Sequence, residues 1–245
     1  MGVDLSIIIP ALNESRKIAQ DVKAAAEFLQ QQNLEGEIIV VDDGSSDETA
    51  KVARHAGDSI EASLRVLHFK EHHGKGFAVK NGILASKGQF VMFADSGLCV
   101  PYSNALKGLS LLQHDDCDIA HGSRKLPESI IHRPQPLRRK LISKLIHWVL
   151  IIWLRIPANL TDTQCGFKIY NGDLARNLYS QCISHGFLFD VEIIMRAMQS
   201  GKRIREFPIE WTADPDSRLS PAKNFFGVLS ELVALKKVLK QVAKN

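Results

Sequence analysis

At 245 residues, with 45% hydrophobic and 24% charged side chains, the chain is long enough for one good core and too mixed in polarity for a disordered protein. Its net charge of +4 is too small to define a partner, and its four cysteines (Cys99, Cys117, Cys165, Cys182) form no Cys-x-x-Cys pair, so neither a zinc site nor a disulfide framework is indicated. Met1-Gly2-Val3-Asp4 runs directly into an apolar strand and lacks the basic start, apolar core and small-residue cleavage site of a signal peptide, so a cytosolic chain is expected.

Ser6 to Pro10 reads as a buried first strand. Asn13 or Ser15 is placed to cap a helix running to about Gln31, on the apolar spacing of Ile18, Val22, Ala25, Ala26 and Leu29. Glu37 to Val41, the second strand, runs into Asp42-Asp43-Gly44-Ser45-Ser46-Asp47-Glu48-Thr49. Gly44 permits a tight turn, and Ser45 or Ser46 can cap a helix over Asp47 to His55. Capping accounts for Asp47 and Glu48 but not for Asp42 and Asp43, because adjacent carboxylates repel unless something cationic or hydrogen-bonding faces them. Acids at the carboxyl end of a parallel strand face the crevice where open α/β sheets bind nucleotides. Leu64 to Phe69 is a third strand, Gly76 to Ala85 a helix, and Gln89 to Ala94 a strand ending at Asp95. Such alternation implies a doubly wound, mostly parallel α/β sheet with helices on both faces, and it brings Asp42, Asp43 and Asp95 to one edge.

A helix from Pro101 to Leu112 leads to a strand and turn over Asp118 to Arg124, and prolines at 127, 134 and 136 then mark an irregular loop. Leu137 to Leu154 is helical in pattern and stops at Pro157. Arg124, Lys125, Arg133, Arg138, Arg139, Lys140 and Lys144 crowd one stretch with Glu128 as its single acid, a local field suited to phosphates or an anionic surface. It has no interleaved aromatics and no groove-reading motif, so nucleic acid is not expected. The apolar run from Leu145 to Ile156 falls short of the ~20 residues of a membrane span. An interfacial helix and a buried core helix both fit it. Phe187 to Gly201 is a helix whose Asp190 and Glu192, two residues apart, cannot share a face; Asp190 is assigned to the cleft and Glu192 to an ion pair with Arg196. Ile204 to Trp211 reads as one strand, and Phe225 to Lys244 has helical spacing.

Taken in order, Ser6-Ile-Ile-Ile-Pro-Ala-Leu-Asn-Glu14, Val40-Val-Asp-Asp-Gly-Ser-Ser-Asp47, Gly74-Lys-Gly76, Asp95, Gly122-Ser-Arg124, Asp162-Thr-Gln-Cys-Gly-Phe-Lys168 and Phe189-Asp-Val-Glu192 resemble the inverting GT-A glycosyltransferases. Within them the chain looks like the polyprenyl-phosphate sugar transferases, the dolichyl-phosphate β-glucosyltransferases above all. The resemblance implies one GT-A domain over residues 1–222, with a basic loop and amphipathic interface helix at 124–156, and a C-terminal helix at 223–245. It also implies that Pro10, Ala11, Asn13, Glu14, Asp42, Asp43, Lys75, Asp95 and Arg218 hold the nucleotide sugar. Arg124, Arg138, Arg139 and Gln164 are implied for the acceptor, and Asp95, Asp162 and Asp190 for the reacting centre. Carboxylates suit ribose hydroxyls and a base imide, and a guanidinium fork suits phosphate. The family grips magnesium or manganese with two aspartates flanking one residue. Here the run is Asp95-Ser96-Gly97, which leaves Asp95 as the matched metal ligand, with Asp162, Asp190 or water to complete an oxygen shell.

The function so implied is transfer of a hexose, glucose from UDP-glucose, to a polyprenyl phosphate with inversion, by a protein held peripherally at the cytoplasmic face of a membrane. A phosphate monoester, with a second pKa of about 6, is already an anionic nucleophile at neutral pH, so positioning and leaving-group stabilisation suffice. A GDP-mannose donor and a hydroxyl acceptor are the alternatives on the same scaffold. Two readings come from other classes: a nucleotidyltransferase, which normally carries a glycine-rich basic loop where this chain has Ala11-Leu-Asn-Glu14, and a non-catalytic nucleotide-sugar binding protein, which Gly97 would suit.

Overall fold

The computed structural model describes residues 2–133, 156–157 and 159–214. The expected helix at 137–154, the C-terminal helix at 223–245, and Arg138, Arg139 and Arg218 lie outside the described residues. The elements in chain order are β1 (Leu5–Ala11), α1 (Ile18–Gln31), β2 (Gly36–Asp43), α2 (Thr49–Gly57), β3 (Ser63–Phe69), α3 (Lys75–Ala85) and β4 (Phe90–Ala94). A 3-10 turn at Tyr102–Asn104 leads into α4 (Ala105–Gln113), β5 (Ile119–Ser123) and β6 (Ile130–Arg133). After them come β7 (Phe167–Asn171), α5 (Gly172–Ser180), α6 (Phe189–Gln199), β8 (Ile204–Pro208) and β9 (Glu210–Thr212).

Seven strands form one sheet in the order β3-β2-β1-β4-β7-β5-β8. All its pairings are parallel except those of β7, which runs antiparallel to β4 and β5. The strand order reverses beside β1, and a crevice opens at such a switch point. Because β7 is reversed, its beginning lies on the rim where β1, β2, β4 and β5 end. That is how the Asp162 to Lys168 segment reaches the same edge as Asp42, Asp43 and Asp95.

Alternation along each strand divides the core. Ile7, Ile9, Ile38, Val40 and Met92 pack with α1, α2 and α4 on one face, while Ile8, Ile39, Val41, Val91 and Phe93 pack with α3, α5 and α6 on the other. Both faces are covered, as the near-continuous apolar runs of β1 and β2 require.

The structure departs from the sequence pattern in three places. Ile204 to Trp211 is two strands: β8 ends at Pro208, which has no N–H to extend the ladder, and β9 pairs instead with β6 in a separate two-stranded sheet. β6 therefore falls inside the stretch read as an irregular loop. The third departure concerns helix caps. Neither Asn13 nor Ser15 caps α1, and neither Ser45 nor Ser46 caps α2. Those side chains bond across the gap between the two loops: Asn13 N–H donates to Ser45 Oγ (2.7 Å), and Ser46 N–H donates to Asn13 Oδ1 (2.7 Å). Glu14 N–H donates to Thr49 Oγ1 (2.8 Å), and Ser15 N–H to Asp47 Oδ2 (3.3 Å). Asn13 is left-handed (φ 53°), a conformation that Asn tolerates better than most residues.

Candidate active site

Asp42 and Asp43 point to opposite faces of β2, and both are almost fully buried. Hydrogen-bonding partners face each of them, as adjacent carboxylates require. Asp42 accepts the Ser45 N–H (3.1 Å) and lies 2.9 Å from His68 Nδ1 on β3. Asp43 accepts the His73 N–H (3.0 Å) and the Gly74 N–H (2.7 Å), with His72 Nδ1 2.8 Å away. Asp43 thus fixes the entry to α3. Gly74 there has φ +120°, and a Cβ on it would meet His185 O at 2.5 Å, so only glycine fits.

This turn aims Lys75 at the end of β4. Its Nζ lies 2.6 Å from Asp95 Oδ1 and 5.9 Å from the ring centres of Phe93 and Phe189. Burial alone would lower the Lys75 pKa; Asp95 and then Asp190 outweigh it, and the net shift is upward. Asp95 is held from the other side by Gly166, whose carbonyl accepts the Asp95 N–H (2.9 Å). A Cβ on Gly166 would stand 2.0 Å from Asp95 Oδ2, so any side chain there would displace the carboxylate.

Beneath this pair, Lys168 Nζ donates to Asp190 Oδ1 and to Cys165 O, both at 2.6 Å, with Lys168 and Asp190 buried. Burial pushes the Asp190 pKa up, and Lys168 and Lys75 oppose that shift. Glu192 points elsewhere. It accepts the Arg196 Nε–H (2.8 Å), the Ile183 N–H (3.0 Å) and the Ser184 N–H (2.8 Å), which anchors the loop that packs on Gly74 and Gly76. The two acids of α6 divide as their spacing demands.

Arg124, just after β5, clasps Asp162 through Nε to Oδ2 and Nη2 to Oδ1, both at 2.7 Å, and its guanidinium stacks 5.4 Å from the Trp211 ring centre. Against the upward push of burial, Arg124 holds the Asp162 carboxyl down at about 2. Glu206 Oε1 fixes the Asp162 N–H (2.7 Å). Gln164, half-buried, sits between this clasp and Cys165. Pro10 and Ala11 form the buried end of β1, and Glu14 lies 3.9 Å from Lys17.

One carboxylate outside the expected set also approaches Gly97. Asp162 and Asp190, the carboxylates expected to stand in for the one that Gly97 lacks, pair with Arg124 and Lys168, just as Asp95 pairs with Lys75, so a bound ion would have to displace a cation at any of them. The carboxylate that does approach Gly97 is Asp214: a Cβ on Gly97 would lie 3.4 Å from Asp214 Oδ2. Lys17 Nζ meets both Asp214 oxygens, at 2.7 and 2.8 Å. Among the described residues no group of three His, Cys, Asp or Glu side chains forms a ready metal cage. Residues that sequence reasoning missed include Asp21, Gly166, Glu206, Asp214 and His121, a buried imidazole beside Lys168 whose pKa burial pushes well below the usual value. Of these, Gly166 alone lay inside a recognised motif.

Residues 6–178 match the model of glycosyl transferase family 2. The chain belongs to that family. Dolichyl-phosphate beta-glucosyltransferases from Drosophila melanogaster and Homo sapiens are 32% and 30% identical to it, over 90% and 89% of this chain and 70% of each relative. Glycosyltransferase AglD of Haloferax volcanii is 27% identical over 95% of the chain, which spans 37% of that protein's length. Among solved structures, glucosyl-3-phosphoglycerate synthase from Mycobacterium tuberculosis, in complex with Mn2+, UDP and phosphoglyceric acid, superposes with a TM-score of 0.72 at 19% identity. The match covers 97% of this chain and 78% of that one, and it shows that the GT-A fold is shared.

Proposed function

We infer that the chain transfers a glucosyl group from UDP-glucose to a polyprenyl phosphate with inversion, working peripherally at the cytoplasmic face of a membrane. One observation carries the choice of acceptor. Asp95, Asp162, Asp190 and Asp214 each face a lysine or arginine nitrogen at 2.6 or 2.7 Å. A hydroxyl acceptor needs a side chain with room for its proton. Asp162, held down by Arg124, is a poor base, and Lys168 already occupies the Asp190 oxygen that it meets, whereas a phosphate nucleophile arrives already ionised. The relatives named for dolichyl phosphate support the same acceptor, and the mycobacterial synthase, solved with Mn2+ and UDP-glucose, supports the donor.

In this reading the cross-linked loops after β1 and β2 (Pro10, Ala11, Asn13, Glu14, Asp42, Asp43) receive the nucleoside, and Lys75 faces its diphosphate. Arg124 and Gln164 receive the acceptor phosphate, with Arg124 sharing its fork between Asp162 and the incoming anion. Oxygen donors suit Mg2+ or Mn2+, and Asp95, with Asp214 near Gly97 two residues on, would hold the ion once Lys75 and Lys17 turned from them to the diphosphate. When bound, it would neutralise charge gathering on the leaving diphosphate. For the lipid surface, Ile130 and Ile131 on β6 are 52% and 37% exposed and lead into His132 and Arg133, at the start of the basic stretch. No helix among the described residues is long and apolar enough to cross a membrane.

The test is release of the nucleoside diphosphate by purified protein, UDP from UDP-glucose or GDP from GDP-mannose. UDP release should require added polyprenyl phosphate and should fall sharply when a sugar replaces the lipid phosphate, and GDP release from GDP-mannose should be far slower. Equal release without polyprenyl phosphate overturns the reading.

A further inference from the structure

The turn that follows Asp95 takes a costly backbone course. Gly97 (φ 91°) and Leu98 (φ 49°) are consecutive left-handed residues. For a leucine that conformation costs about 1–2 kcal/mol, so something must hold it in place. The holder comes from a different layer of the fold. Asp21, in the first turn of α1 and 1% exposed, accepts the Gly97 N–H on both oxygens (2.9 and 3.0 Å) and the Leu98 N–H on Oδ1 (2.9 Å). An acid in the first turn of a helix ordinarily answers the helix dipole from the surface. This one is turned inward and bonded to the turn that sets Asp95 against Lys75 and Gly97 against Asp214.

We propose that Asp21 is a positioning residue for the donor site: its buried carboxylate fixes the Asp95 to Leu98 turn, and so the placement of Asp95, without touching the donor itself. The proposal rests on reading this rim as a nucleotide-sugar site. A second observation argues that the acid is kept for function. Burial pushes the Asp21 pKa up to about 6, against the pull of the Gly97 and Leu98 N–H groups, with Glu14 adding to the rise and Lys17 opposing it. Around it stand Glu14 and Lys17 before α1, Tyr102 from the 3-10 turn, and Cys99, whose thiol burial raises and the charges of Asp95, Asp214 and Asp21 raise further. The ionised carboxylate is therefore maintained at a cost to stability, where a neutral amide of the same shape would be easier to bury. Groups kept at the expense of stability cluster where a site needs a particular shape.

The experiment compares wild type with Asp21→Asn at about pH 5 and about pH 8, on either side of the shifted pKa. UDP-glucose with Mn2+ is the calorimetric ligand, since its diphosphate does not titrate in that range, and amide exchange at Gly97 and Leu98 reads the turn directly. The expected result is a variant that melts no lower than wild type at about pH 8, exchanges both amides at least ~10-fold faster and binds UDP-glucose ~10-fold more weakly, about 1.4 kcal/mol. Wild-type affinity should also fall more than the variant's as pH drops through about 6. A folded variant with wild-type affinity and wild-type pH dependence overturns the proposal. Should the variant not fold, Asp21→Glu replaces it, and a folded Asp21→Glu with wild-type exchange at Gly97 and Leu98 and wild-type affinity overturns the proposal instead. A wild-type protein that binds no UDP-glucose at either pH counts against the donor reading, and the exchange rates then decide alone whether Asp21 holds the turn.

Discussion

The two halves of the rim are built from different interactions. On the donor side, the loops after β1 and β2 are stitched by hydrogen bonds between backbone N–H groups and the side chains of Asn13, Ser45, Thr49 and Asp47. On the acceptor side, Arg124 with Asp162 and Lys168 with Asp190 are ion pairs withdrawn from water. The bonds to Asn13, Ser45 and Thr49 join neutral groups, so the shape they define does not depend on salt. Buried ion pairs place charge, but each partner becomes a liability once the other is gone. Under the proposed function a nucleoside would meet the first half and a phosphate the second, so shape and charge would each fall where the ligand needs them.

The sharpest way to break this contrast is Lys168→Met, which strands the Asp190 carboxylate at the base of the site. It should lower the unfolding free energy by about 3–5 kcal/mol in urea titrations, and adding Asp190→Leu should restore most of that loss. If the single variant is as stable as wild type, the pair is not the strut described here. Next in size is Arg124→Lys. It keeps the charge but loses the fork, and should raise the KM for polyprenyl phosphate roughly tenfold while leaving UDP-glucose binding intact. The same variant tests the pH dependence. The folded pKa of Asp162, about 2, lies below its ordinary 3.8. The pair's contribution, on the order of 2 kcal/mol, is therefore present above about pH 4 and lost as pH falls toward 2. Acid unfolding monitored by circular dichroism should begin at higher pH in Arg124→Lys. Smallest is Asn13→Ala on the donor side, which removes the Ser46 bond and puts alanine at positive φ. A loss of about 1 kcal/mol with the same salt dependence as wild type is expected, and a strong salt dependence would erase the contrast.

Much of the rim could be read from the sequence because its residues follow strands that alternate with helices. Asp42, Asp43, Lys75, Asp95 and Arg124 all occupy the position just beyond a strand or at the mouth of a helix, where pattern alone puts them on one edge. The rest was hidden for physical reasons. Asn13, Ser45 and Ser46 have the chemistry of helix caps, and the sequence does not say that their partners lie about thirty residues away in another loop. β7 is only five residues long and begins inside the Asp162 to Lys168 motif, so its apolar pattern is too brief to stand out. Asp21 looked like an ordinary first-turn acid, and only its burial shows otherwise. The assignment of Glu192 to Arg196 succeeded because it rested on helix spacing, the most local geometry available.

Lys17 and Asp214 are separated by 197 positions along the chain. During synthesis the first strand and helix emerge early, yet this contact waits for position 214. The bonds of Asn13, Glu14 and Ser15 to the loop after β2 can close much sooner, so the rim would be assembled in two stages, its local stitching first and this long-range tether later.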